Sequence, residues 1–188
     1  LNTSFKTPQN LPVAAYLLLS LTLNGIIPRD IESGFGKFPA SFDTYQEVCE
    51  HDLVFCLFDI DETPRTVGLS SLKGMITGAY TVVRCLENVH PNFVYYYYLS
   101  LDEKKRLRPL YTGLRKVIRP NTFLSAKMPL PSFREQVAIA EYLDRKTQEI
   151  DVLVEKELAI IGLLQELRTS LISEAVTGKI DVRESVAV

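Results

Sequence analysis

All ten prolines of this 188-residue chain lie at or before Pro131, and the 56 residues after Ser132 contain no proline and only two glycines, Gly162 and Gly178. Proline removes an amide donor and clashes with the preceding helical turn, so this segregation separates a turn-rich first part from a stretch free to form one helix. Both ends of that stretch carry helix signals. Ser132-Phe133-Arg134-Glu135 has capping-box spacing, in which a serine hydroxyl and a glutamate carboxylate satisfy each other's amides. At the far end, Gly178 in Thr177-Gly178-Lys179 suits the left-handed residue that follows a helix. A helix of about 44 residues rises ~66 Å at ~1.5 Å per residue.

Within it, Ala140, Leu143, Thr147, Ile150, Val154, Ile161, Leu164, Leu171 and Ala175 recur at alternating spacings of three and four, interrupted by Glu157 and Arg168. Leu153, Leu158, Ile160, Leu167 and Ile172 widen this seam beyond a two-stranded stripe. Such a helix is too long and too apolar to stand alone. It calls for another long helix, in a longer parent chain or on a second molecule, with Leu143, Ile150, Val154, Ile161, Leu164 and Leu171 at the contact.

The first part reads as strands and turns. Tyr16–Leu23 runs into Asn24-Gly25, a type I′ hairpin signal, followed by Ile26-Ile27. Asp52–Phe58 and Thr77–Cys85 are rich in β-branched and aromatic residues and are expected as strands. Phe93–Leu99 holds four consecutive tyrosines. Propensity favours strand there, but Pro91-Asn92 is a helix-start signal, and a short helix is preferred, its tyrosines packing the core rather than stacking on bases. The expected fold class is α+β: a mixed, β-rich domain over residues 1–131, one long coiled-coil-forming helix over 132–178, and a tail over 179–188.

Composition excludes several classes. Hydrophobic residues make up 46% and charged residues 23%, which argues against wholesale disorder. No apolar run approaches the ~18 residues of a membrane span, and no secretory signal is recognisable. Three cysteines, Cys49, Cys56 and Cys85, do not suit a disulfide framework and fit a reducing, cytoplasmic setting. A P-loop, a glycine-rich cofactor fingerprint and a nucleophile elbow are all missing, and Gly34-Phe35-Gly36-Lys37 reads as a turn. His51 between Cys49 and Cys56 matches no metal-ligand spacing, and no metal is expected. Asp59, Asp61 and Glu62 with Glu103-Lys104-Lys105 can be drawn as a metal-dependent nuclease, but Glu103 lies in a polar segment without an apolar strand to fix it, so no catalytic residue is assigned.

The net charge of −2 hides a strong segregation. Residues 1–100 carry 6 Lys/Arg against 10 Asp/Glu, residues 101–132 carry 8 against 2, and residues 133–188 carry 7 against 11. A basic zone of +6 therefore sits between two segments of −4. It comprises Lys104, Lys105, Arg106, Arg108, Arg115, Lys116, Arg119 and Lys127, with Tyr111, Thr112 and Gly113 among them. Cations at this density attract phosphates, arginine can pair two-pronged with guanine, and Gly113 permits close backbone approach. Composition alone leaves two readings open, a solvated surface and a nucleic-acid contact.

The run Met128-Pro129-Leu130-Pro131-Ser132-Phe133-Arg134-Glu135-Gln136, with Ile139-Ala140-Glu141-Tyr142-Leu143-Asp144, Leu164-Gln165-Glu166-Leu167-Arg168 and Leu171-Ile172-Ser173-Glu174-Ala175-Val176-Thr177-Gly178-Lys179-Ile180-Asp181-Val182-Arg183, closely resembles a shared region of the DNA specificity subunit of type I restriction–modification enzymes. Upstream, Gly25-Ile26-Ile27-Pro28-Arg29, His51-Asp52-Leu53-Val54-Phe55, Gly74–Tyr80 and Tyr111-Thr112-Gly113-Leu114-Arg115 look like landmarks of that family's target-recognition domain. The resemblance implies a non-enzymatic reader of double-stranded DNA, with one recognition domain and one long helix where the family usually has two of each.

It further implies that the long helix acts as a spacer, pairs antiparallel and docks methyltransferase subunits, with the restriction/translocase subunit joining through the complex. S-adenosylmethionine, ATP and Mg would belong to those partners and none to this chain. A half-size subunit of this kind is expected to form a homodimer that reads an inverted repeat. Phosphate contacts would fall to Lys104, Lys105, Arg106 and Arg108, with Tyr111, Thr112, Gly113, Arg115 and Lys116 nearer the bases and Lys37 and Arg65 as weaker candidates.

Overall fold

A computed structural model describes residues 2–3, 17–29, 44–111, 113 and 116–183. The chain separates into two compact units, Leu1–Glu141 and Tyr142–Val188. The first unit is the β-rich one, and the fold class is α+β as expected.

Its centre is a four-stranded antiparallel sheet. The strands are β1 (Asn2–Thr3), β5 (Leu53–Phe55), β6 (Val67–Leu69) and β8 (Thr81–Arg84), in the order β1-β8-β5-β6. Strand β5 is apolar at every position and wholly buried, because both faces of the sheet are covered. Side chains alternate along a strand, so Leu53 and Phe55 enter one core with Val67 and Val83, while Val54 and Val82 enter a second.

The second core is closed by two strand pairs. One joins β2 (Leu19–Thr22) to β3 (Gly25–Pro28), the other β4 (Tyr45–Val48) to β7 (Gly74–Thr77). Gly68 in β6 makes room for the first pair: a Cβ there would lie 2.6 Å from Leu21 Cδ1 and 2.8 Å from Ile26 Cδ1.

The first core is closed by helix α1 (Pro91–Glu103) and the short helix α2 (Pro120–Ser125). Helix α1 starts on Pro91, as the Pro91-Asn92 signal suggests, and buries Val94, Tyr98 and Asp102 at intervals of four, one face of a helix. Tyr98 packs against Phe55 and Phe123 at ring-centroid distances of 5.0 Å each. Burial pushes its hydroxyl up to about 12. Tyr95 and Tyr97 pack half-buried against the same core.

Two expectations need correction. Thr77–Cys85 is not one strand. The chain turns at Gly78, where a Cβ would lie 2.3 Å from the Thr44 carbonyl oxygen, and resumes as β8 in a different sheet. The β2–β3 hairpin forms, but not through a type I′ turn, which needs positive φ at both central residues. Thr22 pairs with Gly25, and Gly25 has φ 92° while Asn24 is not left-handed. The Thr22 hydroxyl accepts from the Asn24 amide and donates to the Gly25 carbonyl, both at 3.1 Å, closing the tip.

Helix α3 spans Phe133–Val176, 44 residues. Its start is the expected capping box. Glu135 Oε2 accepts from the Ser132 amide at 2.9 Å and hydroxyl at 2.6 Å, and these bonds hold the carboxyl below its usual range. Gln136 and Ala140 in the first two turns are buried in the first unit. Gln136 Oε1 accepts from the His90 amide at 2.9 Å, and its Nε2 donates to the carbonyls of Pro131 at 2.9 Å and Asn88 at 3.4 Å. At the other end Gly178 has φ 73°. The Lys179 amide reaches the Glu174 carbonyl and the Gly178 amide that of Ala175, the two bonds of a Schellman stop.

Candidate nucleic-acid interface

The basic zone begins where α1 ends. Helix α1 stops in the same double-bonded manner as α3. The Arg106 amide donates to the Leu101 carbonyl at 2.8 Å and the Lys105 amide to that of Asp102 at 2.9 Å. Here, however, the left-handed position is held by Lys105 (φ 47°) where glycine is usual. Its ammonium offsets that strain by donating to Asp102 Oδ1 at 2.8 Å and to the Thr63 carbonyl at 2.9 Å. Asp102 is nearly buried and also accepts from the Thr66 amide at 2.7 Å and hydroxyl at 2.5 Å, so the end of α1 is fastened to the segment leading into β6.

A 3-10 turn at Arg108–Leu110 follows, then Tyr111, Gly113 (φ 80°) and Lys116 (φ 49°). This segment faces the turn at Asp59–Glu62, and the Ile118 amide bonds the Leu57 carbonyl at 2.8 Å to hold the two together. Asp61 is the meeting point. Its Oδ1 accepts from Arg108 Nε at 2.7 Å; its Oδ2 accepts from the Tyr111 hydroxyl at 3.2 Å and lies 3.3 Å from Lys116 Nζ. Lys116 Nζ is also 3.3 Å from Glu62 Oε1. The Arg108 guanidinium foremost, then Lys116 and Tyr111, hold the Asp61 carboxyl below the usual aspartate range. Glu62 and Asp61 in turn raise the Lys116 ammonium.

The expected cations thus fall into three groups. Lys105, Arg108 and Lys116 are paired with acids. Lys104, Arg106, Arg119 and Lys127 are exposed, and among the described residues they make no ion pair. Arg65 lies apart, half-buried, donating through a terminal nitrogen to the Leu23 carbonyl at 3.1 Å. Lys37, Thr112 and Arg115 lie outside the described residues, as does the Gly34–Lys37 turn. Sequence reasoning weighed Asp61 and Glu62 only as metal ligands. Their role as counter-ions comes from contacts 47 and 54 residues apart, for which local sequence holds no signal.

Among the described residues no group of three or more His, Cys, Asp or Glu could hold a metal ion. Burial pushes the Cys85 thiol up to about 11 and raises that of Cys56, so neither is a ready nucleophile at neutral pH. No helix among the described residues is long and apolar enough to cross a membrane.

The second unit offers a different surface. Along α3, Ile150, Val154, Ile161, Leu164 and Leu171 are each about half exposed or more, and Leu158 and Leu163 exceed 60%. Leu143 is partly covered. Apolar exposure on this scale, interrupted at Glu157 and Arg168, is what an interaction surface would present.

No protein-family profile matches the chain, and no curated protein matches it. Among solved structures the chain is similar to the crystal structure of the HsdS subunit from Thermoanaerobacter tengcongensis. The match has 19% identity and a TM-score of 0.49, and covers 72% of this chain and 32% of that one. The chain therefore spans about a third of that protein's length.

Proposed function

We propose that the chain is a non-catalytic DNA specificity subunit of the type I restriction–modification kind, reading one half of a bipartite target and docking methyltransferase subunits through α3. The observation that carries the reading is the pairing of two unlike surfaces in one chain. One is a cationic strip around Lys104–Lys116 on the first unit, the other an uncovered apolar helix on the second. A reader that must be spaced and carried by partners needs both.

In this reading Lys104 and Arg106, open to solvent, take phosphates, supported by Lys105 and Arg108. The Tyr111–Lys116 loop, with Thr112, Gly113 and Arg115, approaches the base edges. Asp61 fastens Arg108, Tyr111 and Lys116, on either side of that loop, to the turn at Asp59–Glu62. Methyl transfer, translocation and cleavage, with their S-adenosylmethionine, ATP and Mg, fall to partner subunits in the cytoplasm. The test is co-purification of the full chain with an adenine methyltransferase encoded beside it, followed by DNA binding. A complex that retains duplex DNA in a sequence-dependent way supports the reading.

One observation favours a second reading. Asp61 and Glu62 neutralise two of the expected DNA contacts, Arg108 and Lys116, which suits an adaptor that pairs helices without reading DNA. A methyltransferase complex whose affinity for every duplex is the same with and without this chain would favour that alternative.

A further inference from the structure

The tip of the β2–β3 hairpin is fixed from two directions. One rung below it, Leu21 pairs with Ile26, and both side chains lie so close over Gly68 of β6 that no Cβ fits there. At the tip itself, the Leu23 carbonyl accepts from a terminal nitrogen of Arg65 at 3.1 Å, across 42 residues of sequence. Leu23 and Asn24 are the two residues between the paired Thr22 and Gly25. Both are exposed, Leu23 at 58%. Loop tips are ordinarily the mobile ends of a sheet. This one is closed from within by the Thr22 hydroxyl and held from outside by Arg65, with a large apolar side chain left facing solvent.

The same anchor ties the tip to the cationic strip. Arg65 belongs to the segment Thr63–Thr66 that leads into β6. Within four residues, the Thr63 carbonyl accepts from Lys105 Nζ at 2.9 Å, the Thr63 hydroxyl donates to the Arg65 carbonyl at 3.2 Å, and the Thr66 amide and hydroxyl donate to Asp102. Hairpin tip and end of α1 therefore share one support, with Lys104 and Arg106 open beside Lys105. Cations position a protein on the phosphate backbone, while sequence is read at base edges. A two-stranded β-ribbon fits the major groove, where asparagine can pair two-pronged with adenine and an apolar side chain packs on the thymine methyl. Asn24 and Leu23, adjacent in a fixed tip, supply those two chemistries.

We propose that the β2–β3 tip is a base-reading element, with Asn24 and Leu23 specifying an A·T pair, and that Arg65 is a positioning residue that holds this tip without touching DNA. This rests on the reading of the chain as a DNA specificity subunit, and adds a second contact element to the Tyr111–Lys116 loop. It also reassigns Arg65, whose charge alone suggests a DNA contact, to the backbone of the hairpin that does the reading.

The test is selection from random duplexes by the full chain assembled with its methyltransferase, comparing wild type with Asn24→Ala, Leu23→Ala, Arg65→Ala and Arg65→Lys, thermal melting serving as the check on folding. Asn24→Ala should return the wild-type motif with one A·T position made degenerate. The wild-type penalty for replacing that pair, roughly fivefold to a hundredfold, should shrink to within about twofold in the variant. Leu23→Ala should weaken the same position. Neither change removes a charge, so the salt dependence should stay that of the wild type. Arg65→Ala should blur the same position without altering the salt slope, and Arg65→Lys, which keeps one long donor for the Leu23 carbonyl, should restore most of it. A wild type that selects a motif while the Leu23 and Asn24 variants select it equally well would overturn the tip as a reading element and leave DNA recognition standing. A salt slope shallower by ~0.9 in Arg65→Ala would make Arg65 a phosphate contact and overturn its positioning role. A wild type that selects no motif would overturn the specificity reading and this proposal with it.

Discussion

Arg108 donates from Nε to Asp61 Oδ1 at 2.7 Å, joining the basic segment after α1 to the acidic turn before β6. That contact decides how the cationic strip is read. The strip is not a uniform patch: Lys105, Arg108 and Lys116 are tied to Asp102, Asp61 and Glu62, while Lys104 and Arg106 remain open.

Removing the carboxylate should therefore release charge rather than abolish it. Asp61→Asn frees Arg108 from its counter-ion and leaves Lys116 with Glu62 alone. If the strip contacts DNA, affinity for random-sequence duplex should rise, and log K against log salt should steepen by about one to two contacts' worth, ~0.9 each. The discrimination between target and random sequence should fall, because Tyr111 and Lys116 lose their contact with Asp61. Fluorescence anisotropy across a salt series measures all three.

The same carboxyl has a pH signature. Its folded pKa lies below its unfolded value of 3.8, so its contribution to stability is complete above that value and is lost as pH falls through the folded pKa. Denaturant titrations should show the wild type and Asp61→Asn converging as pH falls through the acid range. A difference between them that persists unchanged into strong acid would rule out the ion pairs as its cause.

Lys104 and Arg106 are exposed and make no ion pair among the described residues, so their substitution is expected to act on DNA alone. Lys104→Ala should lower affinity for all sequences and flatten the salt dependence by about one contact, without moving the melting temperature. Arg115→Ala, by contrast, should cost ~1–3 kcal/mol on the target sequence and little elsewhere if it reads a base. If both variants bind as the wild type does, the strip is not the contact surface.

Two buried polar anchors are open to stability measurements. Asp52 is fully buried and receives Arg84 Nε and a terminal nitrogen at 2.8 Å each, with the Cys49 amide also at 2.8 Å. Arg84→Ala removes the counter-ion of that carboxylate; because Arg84 is itself half exposed, water can partly take its place, and the cost should be ~1–3 kcal/mol in chemical denaturation. Gln136→Ala leaves the His90 amide and the Pro131 carbonyl without their partners and should cost ~2–4 kcal/mol.

Local signals marked α1 and α3, but not the short α2. Capping box, Schellman glycine and absence of proline are all short-range, and α3 forms between the expected residues. Strand edges were less legible, because they depend on packing across the sheet. The turn at Gly78 answers to the Thr44 carbonyl, far away in sequence, and the β2–β3 tip took a left-handed glycine after Asn24 instead of an Asn-Gly centre. The site was legible as composition but not as geometry. Lys104 and Lys105 are neighbours of the same charge, yet one is open and the other is tied to Asp102 at the end of α1. That difference comes from the left-handed backbone at Lys105 and the position of Thr63, neither of which a charge count can show.

The most direct test of DNA recognition is selection from random duplexes by the full chain assembled with its methyltransferase, followed by sequencing of the retained DNA. The expected result is one recurring motif made of two inverted copies of a half-site at a fixed separation, lost from the assembly that lacks this chain. Retention of DNA with no common motif, or of the same motif without this chain, would contradict it.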